Sequence, residues 1–596
     1  MSLKVTKKQV LIFLFFSRFT AAEEIQLPTL VKEGLAGEVL QSDWVVPSQS
    51  GSAGGATGAG SVLSGIQDEI PVSISNSGRP GNLSQLRGYG MSSEDIDTQS
   101  FGISLNPPQG GGFDLSVFPF YLWSGFSFQS GPSLNGFNPS ARSGTLTLSP
   151  WTAEALKKEG SVYRAGEFYS STGVNQVYAA GKSQEGLAWV FGYSFLKAVG
   201  PSAGFSTRWH HGSSSSGYSG GAHLLATHLD AAAQGPVFSF SPLARMRTAR
   251  VIPILENVYQ WSDSQIFRSS LFSDFSLMTY QDPNSGLGSR DEVQQWGIEN
   301  VVELGAWRLG ASLRRASYFG QSFQAPIQTV GNFQISKVFG HESWIVEPLL
   351  QASWVNGFGL LPQGSLGFRN EWGRGKPSFY LRLGFAQKVP SLLDRYFVYG
   401  HFVGNPDLKT EENWTTTTGV EWKRGSLEGM LQVYGQFRDH VRALMSRSSD
   451  SSPDTVTNLG GASVLAVQNT LRYQVDSLWG FTHSFAWSPS RINVTGRPFP
   501  YLPRWTEILG VSLHWGGAVQ KVEWSGVLRV SGSSGTSATA GQELPGFAVL
   551  DTALDYPLSR QLRLAVRVEN LLNQQIQWVA GYPVGRIFSF LISGQI

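Results

Sequence analysis

The feature that most constrains this chain is a period of two that recurs along it, with no apolar run long enough to make a membrane helix. Leu187, Trp189, Phe191, Tyr193 and Phe195 are separated by mostly small residues, among them Ala188, Gly192 and Ser194. Phe379, Leu381, Leu383 and Phe385 alternate with Tyr380, Arg382 and Gly384, and Trp344, Val346, Leu350 and Trp354 keep the same spacing. Val522, Trp524, Leu528 and Val530 face away from Glu523, Ser525 and Arg529, as Leu562, Leu564, Val566 and Val568 do from Arg563 and Arg567. A period of two means strands, each with one greasy face and its charges on the other. No segment holds the ~20 consecutive apolar residues of a spanning helix.

Alternation alone also suits a soluble sandwich, so the chain's rhythm has to decide. Strands are expected near 427–440, 461–473, 479–488, 505–515, 520–530, 547–556, 561–570 and 586–596. Short connections, 423–426, 474–478, 516–519 and 557–560, alternate with long Gly-, Ser-, Pro- and Asn-rich ones at 445–460, 489–504, 531–546 and 571–585. Short turns on one rim and long loops on the other belong to an outer-membrane barrel, and a sandwich has no reason for the asymmetry. The last strand puts Phe588, Phe590, Ile592 and Ile596 on one face, which suits lipid. At roughly 20 residues per strand and connection, 151–596 holds ~22 strands, the size of plugged transporters. Charged residues at 15% and aromatics at 12% agree with a wall that faces lipid.

The start of the chain is organised differently. Lys4, Lys7 and Lys8 precede the apolar run Val10–Phe16, and Thr20-Ala21-Ala22 offers a cleavage site before Glu23, the pattern of a secretory signal. The expected division is a signal peptide at 1–22, a flexible segment at 23–61 that includes the Gly/Ser/Ala stretch Ser48–Ser61, a compact unit at 62–150, and the barrel at 151–596. Formal charge is +2, too balanced for a nucleic-acid binder, and with no cysteine there are no disulfides or thiolate metal sites.

Six motifs in order then carry a resemblance. Arg79-Pro80-Gly81-Asn82-Leu83-Ser84-Gln85-Leu86-Arg87-Gly88, the small-residue loop Gly102–Leu115, and the element from Ser130-Gly131-Pro132-Ser133 to Gly144-Thr145-Leu146 resemble the plug domain of TonB-dependent outer-membrane receptors. Gly404-Asn405-Pro406-Asp407-Leu408-Lys409-Thr410-Glu411 is similar to a barrel box of that family. So is Val568-Glu569-Asn570-Leu571-Leu572-Asn573, and Gly581-Tyr582-Pro583-Val584-Gly585-Arg586 completes the terminal box. The resemblance implies an all-β membrane protein: an antiparallel transmembrane barrel with the N-terminal plug inside its lumen, placed in the outer membrane of a Gram-negative bacterium. It implies import of a scarce metal chelate or vitamin, such as a ferric siderophore or cobalamin, driven by a TonB-type complex of the inner membrane. Outer-membrane lipid and lipopolysaccharide surround such a barrel, which is expected to be a monomer without a cofactor. The compact length is nearest in size to the cobalamin transporter. The alternative is a passive porin-like channel or vestigial surface receptor with a loosened plug. A third reading is a surface protein that serves as a docking site.

Site residues follow from the same resemblance. The TonB box is sought in Thr29, Leu30 and Val31, which can add as an edge strand, with Asp43-Trp44-Val45-Val46 competing. Two plug arginines and two barrel glutamates normally pair in the lumen. Here Arg87 remains, while Ser130, Thr417 and Gln468 stand at the other three positions. Several charges lost together can be nearly neutral, so the plug is expected to rest on neutral hydrogen bonds. Phe101 stands where the family has aspartate before Gly102. Phe113, Tyr396, Phe397, Tyr399 and Phe402 are the aromatic candidates for substrate contact. Catalysis has no support: His210-His211 beside Ser213–Ser216 reads as a solvated loop, His401 as a surface residue, and Gly110–Gly112 lacks the Lys-Ser/Thr of a phosphate loop.

Overall fold

In the computed structural model, most residues between Gln49 and Gln595 are described. The longest stretches outside the description are 53–65, 132–143, 151–161 and 233–244, and residues 1–48 lie outside it too. The signal segment and both TonB-box candidates therefore fall outside the described residues.

Strands from Val162–Ser170 to Ile587–Gln595 hydrogen-bond antiparallel to their neighbours and close into a barrel, the last strand pairing with the first from Ile587↔Ser170 to Gln595↔Val162. Ile327–Lys337 and Phe339–His341 are one strand interrupted at Val338, and Trp479–Trp487 and Ser490–Ile492 are another. Counted so, the barrel has twenty-two staves. The later strands fall within about two residues of where the alternation placed them.

The alternation sorts side chains as a barrel wall requires. Leu350, Trp354, Leu383, Trp414, Leu431 and Phe590 are among the exposed large apolar residues, while the alternate positions Glu347, Gln351, Arg382, Gln432 and Ser589 are buried. Inward charges are paired across strands: Arg250 with Asp274 at 2.6 Å, Arg268 with Glu256 at 3.2 Å, and Arg382 with Glu347 at 3.1 Å. Among the described residues no helix is long and apolar enough to cross a membrane.

The N-terminal unit is a five-stranded sheet in which Ile96–Ser100 runs parallel to Gly144–Pro150 and the other pairs are antiparallel. Its core holds Leu86, Met91, Ile96, Ile103, Leu105, Phe126, Phe128, Leu146 and Leu148. The same cluster takes in the wall residues Ile252, Ile254, Phe272 and Tyr434, so this unit packs on the barrel's inward face.

Two expectations are corrected. Gln49–Ser52, assigned to the flexible segment, is an edge strand on Gly125–Phe128. His210 and His211, read as loop, lie in the strand Val199–Gly212 opposite Ser219 and Tyr218. Both stretches are rich in Gly and Ser, which carry no periodic signal yet pair through the backbone alone.

Candidate functional site: the plug seat and the cleft above it

The plug meets the wall at three levels. At the first, the hairpin turn Phe101-Gly102 reaches the wall, where Ser270 donates from Oγ to the Phe101 carbonyl at 3.1 Å. Both turn residues have positive φ, 53° and 75°. A tight hairpin turn of this kind prefers Asn or Asp followed by Gly, so Phe101 is held there by burial at the wall, with 4% of its surface exposed.

At the second level lie the positions where charges were expected and neutral residues stand. Ser130 ends the strand Trp123–Ser130 and its Oγ accepts from Gln432 Nε2 at 2.8 Å. Gln432 also accepts from the Tyr380 hydroxyl at 3.0 Å, and it lies opposite Gln468 on one neighbouring strand and Gly419 on the other. A Cβ on Gly131 would lie 3.4 Å from Thr417 Oγ1. Ser130 thus meets Gln432, a residue the sequence reading missed, with Gln468 opposite Gln432 in register and Thr417 beside Gly131. Arg87 ends the short strand Ser84–Arg87, opposite Ser73, and is half-buried.

The third level overturns the expectation of a neutral plug seat. The short 3₁₀ turn Ser93–Asp95 carries two acids toward the wall. Asp95 is fully buried and takes Lys388 Nζ at 2.8 Å and Arg438 at 2.5 Å, one on each carboxylate oxygen. Its second oxygen also accepts from the Ser92 amide at 2.9 Å and the Ser92 hydroxyl at 2.7 Å. Burial pushes the Asp95 carboxyl up, but Arg438 and then Lys388 outweigh it and hold the group well below the usual carboxylate range. Glu94 lies 3.7 Å from Lys388 and 3.9 Å from Arg442, and Arg442 in turn pairs with Glu411 at 2.8 Å and with Asp394. The charges missing from the expected positions reappear with opposite sense: acids on the plug, bases on the barrel. No local motif marks them, because Asp95, Lys388, Arg438 and Arg442 are brought together only by barrel closure.

Above this clamp the plug's apex loop meets the long connection after Lys388. Leu393 donates its amide to the Gln109 carbonyl at 3.0 Å. A Cβ on Gly110, whose φ is 114°, would lie 2.2 Å from Ser391 Cβ. The helical turn Leu392–Tyr396 is capped by Ser391, whose hydroxyl accepts from the Asp394 amide at 3.1 Å. The Gly404–Glu411 box fixes the return of this loop. A Cβ at Gly404 would strike Arg395 backbone at 2.6 Å, Asn405 donates from Nδ2 to the Val456 carbonyl at 3.1 Å, and Glu411 takes Arg442. A small four-stranded sheet of Val398–Tyr399, Phe402–Val403, Asp454–Asn458 and Arg442–Met445 then ties two long loops together.

Between apex loop and wall lies a cleft lined by Glu94, Asn106, Gln295, Gln328, Lys388, Ser391 and Arg442 among others. Its lining is mainly polar, with Pro107, Pro108, Ala316 and Val330 as the apolar part. Of the aromatic candidates, Phe113 and Phe397 are buried and pack, Phe113 in the plug core. Tyr396 is half-buried under the Arg395 guanidinium, 4.5 Å from its ring centre. Tyr399 and Phe402 pair through their backbones, and their side chains lie outside the description. Among the described residues no cluster of His, Cys, Asp or Glu could hold a metal ion.

Comparison with known proteins agrees with this architecture. A family model described as TonB dependent receptor-like, beta-barrel, matches residues 47–571. Solved structures of similar fold include the copper transporter OprC, with a TM-score of 0.73 at 14% identity, covering 92% of this chain and 99% of that one. A mutant of the ferric enterobactin receptor PfeA of Pseudomonas aeruginosa aligns with a TM-score of 0.72 at 14% identity over 92% and 98% of the two chains. The FrpB iron transporter of Neisseria meningitidis (F3-3 variant) aligns with 0.73 at 12% identity over 92% and 100%. With most of its length matched, a closed twenty-two-stave barrel and an N-terminal sheet seated inside, the chain belongs to the TonB-dependent receptor family of outer-membrane barrels.

Proposed function

We infer that this protein imports a scarce nutrient, a metal chelate or vitamin, across the outer membrane, and that a TonB-type complex supplies the work by pulling on the segment before the plug. The observation that carries this reading is the Asp95 clamp. A lumen this wide would leak without a plug, and a plug anchored by a buried, doubly paired carboxylate does not leave by thermal motion alone. The charged clamp also favours energised import over the passive porin-like channel that a loosened plug would make. The cleft, with carboxylate, guanidinium, ammonium and amide groups on its wall, suits a hydrogen-bonding, polar cargo. Tyr396, Tyr399 and Phe402 are the aromatic groups assigned to its approach. Thr29–Val31 remains the first choice for the pulled segment, ahead of Asp43–Val46.

Deleting Gln26–Glu33 tests this directly. Energised import predicts that uptake of a labelled ferric siderophore or cobalamin that the protein binds is abolished while surface binding persists. A passive pore predicts unchanged uptake.

A further inference from the structure

Among the described residues, one cation beside the cleft has no acid to balance it. The bases on the cleft lining are already engaged: Lys388 holds Asp95, Arg442 holds Glu411 and Asp394, and Arg314 holds Glu299. Arg395 is different. It stands in the helical turn Leu392–Tyr396, whose own acid, Asp394, goes to Arg442. Among the described residues its guanidinium pairs with no carboxylate, and its buried Nε has no hydrogen-bond partner. Two aromatic rings hold it instead, since its Cζ lies 4.5 Å from the ring centre of Phe358 and 4.5 Å from that of Tyr396.

The rings are themselves fixed. Phe358 packs against Val355 and Leu361, and Tyr396 against Val293 and Ala316, buried residues of the wall's inward row, so the guanidinium is held on the lumen side of the long-loop rim. The Arg395 amide donates to the Ser391 carbonyl at 3.2 Å, which sets it one helical turn beyond a residue of the cleft lining. A ring attracts a cation but offers the N–H edge of a guanidinium little to bond with, so the planar fork still calls for oxygens. Burial pulls the guanidinium below its ordinary value, and the group that opposes this is Tyr396 rather than an acid. A preorganised, half-buried cation of this kind suits an oxyanion that can take two of its donors at once.

We propose that Arg395 is an oxyanion-recognition residue, and that the cargo it selects presents a free oxyanionic edge such as a carboxylate. This rests on the reading of the protein as an importer whose cargo enters the neighbouring cleft. The guanidinium donates two parallel N–H bonds to the two oxygens, and the rest of the cargo lies toward the polar cleft lining. Lys388, Arg442 and Arg314 do not compete for that edge, because each would first have to give up an acid it already holds.

A matched pair of radioiron chelates tests this on the full-length protein: a ferric trihydroxamate with one pendant carboxylate, and the same chelate with that carboxylate as its methyl ester. In equilibrium binding the free acid is expected to bind at least about tenfold more tightly than the ester. Arg395→Gln is expected to bring the acid's affinity down to the ester's, and Arg395→Lys, which keeps the charge without the fork, to recover only part of the difference. Heat-modifiable migration of every variant shows that each barrel is folded. An arginine that only held the turn in place would lower both affinities together and keep their ratio. The proposal is overturned if acid and ester bind equally, if neither binds, if Arg395→Gln keeps the ratio, or if Arg395→Lys binds the acid as tightly as the parent. None of these outcomes decides the import reading, which stands or falls on the Gln26–Glu33 deletion.

Discussion

The plug is fastened to the wall in two ways that use opposite chemistry. At Ser130 one neutral hydrogen bond from Gln432 reaches across, within a patch of amides and hydroxyls. At Asp95 a fully buried carboxylate accepts a lysine, an arginine and two groups of Ser92. The neutral contact can be lost and replaced by water at small cost, whereas the charged one cannot lose a partner without leaving ions buried. Sealing is therefore expected to depend on the clamp more than on the neutral seat.

The sharpest way to break the comparison is Asp95→Ala. It removes the nearest acid from Arg438 and from Lys388, which keeps only Glu94 at 3.7 Å, and is expected to destabilise plug docking by about 3–5 kcal/mol. Limited proteolysis of the folded barrel should then cut the plug at protease levels that leave the parent protein intact. Arg438→Ala alone should do similar damage, and the double variant should cost clearly less than the two added together, because the pair acts as one unit.

Gly110→Ala comes next. It places a Cβ on Ser391 in a backbone conformation that suits glycine, and is expected to weaken the apex-loop contact by about 1–3 kcal/mol. A weaker affinity for a labelled ferric siderophore or cobalamin that the parent protein binds, with barrel stability unchanged in a denaturant melt, is the expected readout. Ser130→Ala should cost only about 1 kcal/mol and leave protease resistance of the plug near the parent's.

Acid is expected to have the smallest effect. The folded Asp95 carboxyl is held well below its unfolded value near ~4, so its contribution is complete above that pH and fades only as pH falls through the depressed folded value. Plug protection measured from pH 8 down to about 4 should not fall, because Glu94, the other acid of the clamp, has its carboxyl pushed up by burial and then by Asp394, so the docked state tolerates its protonation. A loss of protection in that window would contradict the assignment of the hold to Asp95.

Much of the wall was legible in the sequence, because a strand with lipid on one side and a polar lumen on the other writes its alternation plainly. The strands from Leu427 to Gln595, and the short turns between them, fall where residue alternation put them. Gly/Ser strands such as Gln49–Ser52 and the end of Val199–Gly212 left no such trace. The neutral half of the plug seat was legible through its positions, since Ser130, Thr417 and Gln468 stand where charges were expected. Gln432, which bonds to Ser130, and the whole Asp95 clamp were not. Asp95 and Lys388 are brought together across 293 residues of chain, and only the closed barrel sets that distance.

The most direct test of this account is planar-bilayer conductance of purified protein carrying Asp95→Ala beside protein carrying Ser130→Ala, with the parent as reference. The parent and Ser130→Ala are expected to stay silent while Asp95→Ala opens large channels in bursts as the plug leaves its seat. Silence from Asp95→Ala, or equal opening from both variants, would contradict the claim that the charged clamp is what keeps the barrel closed.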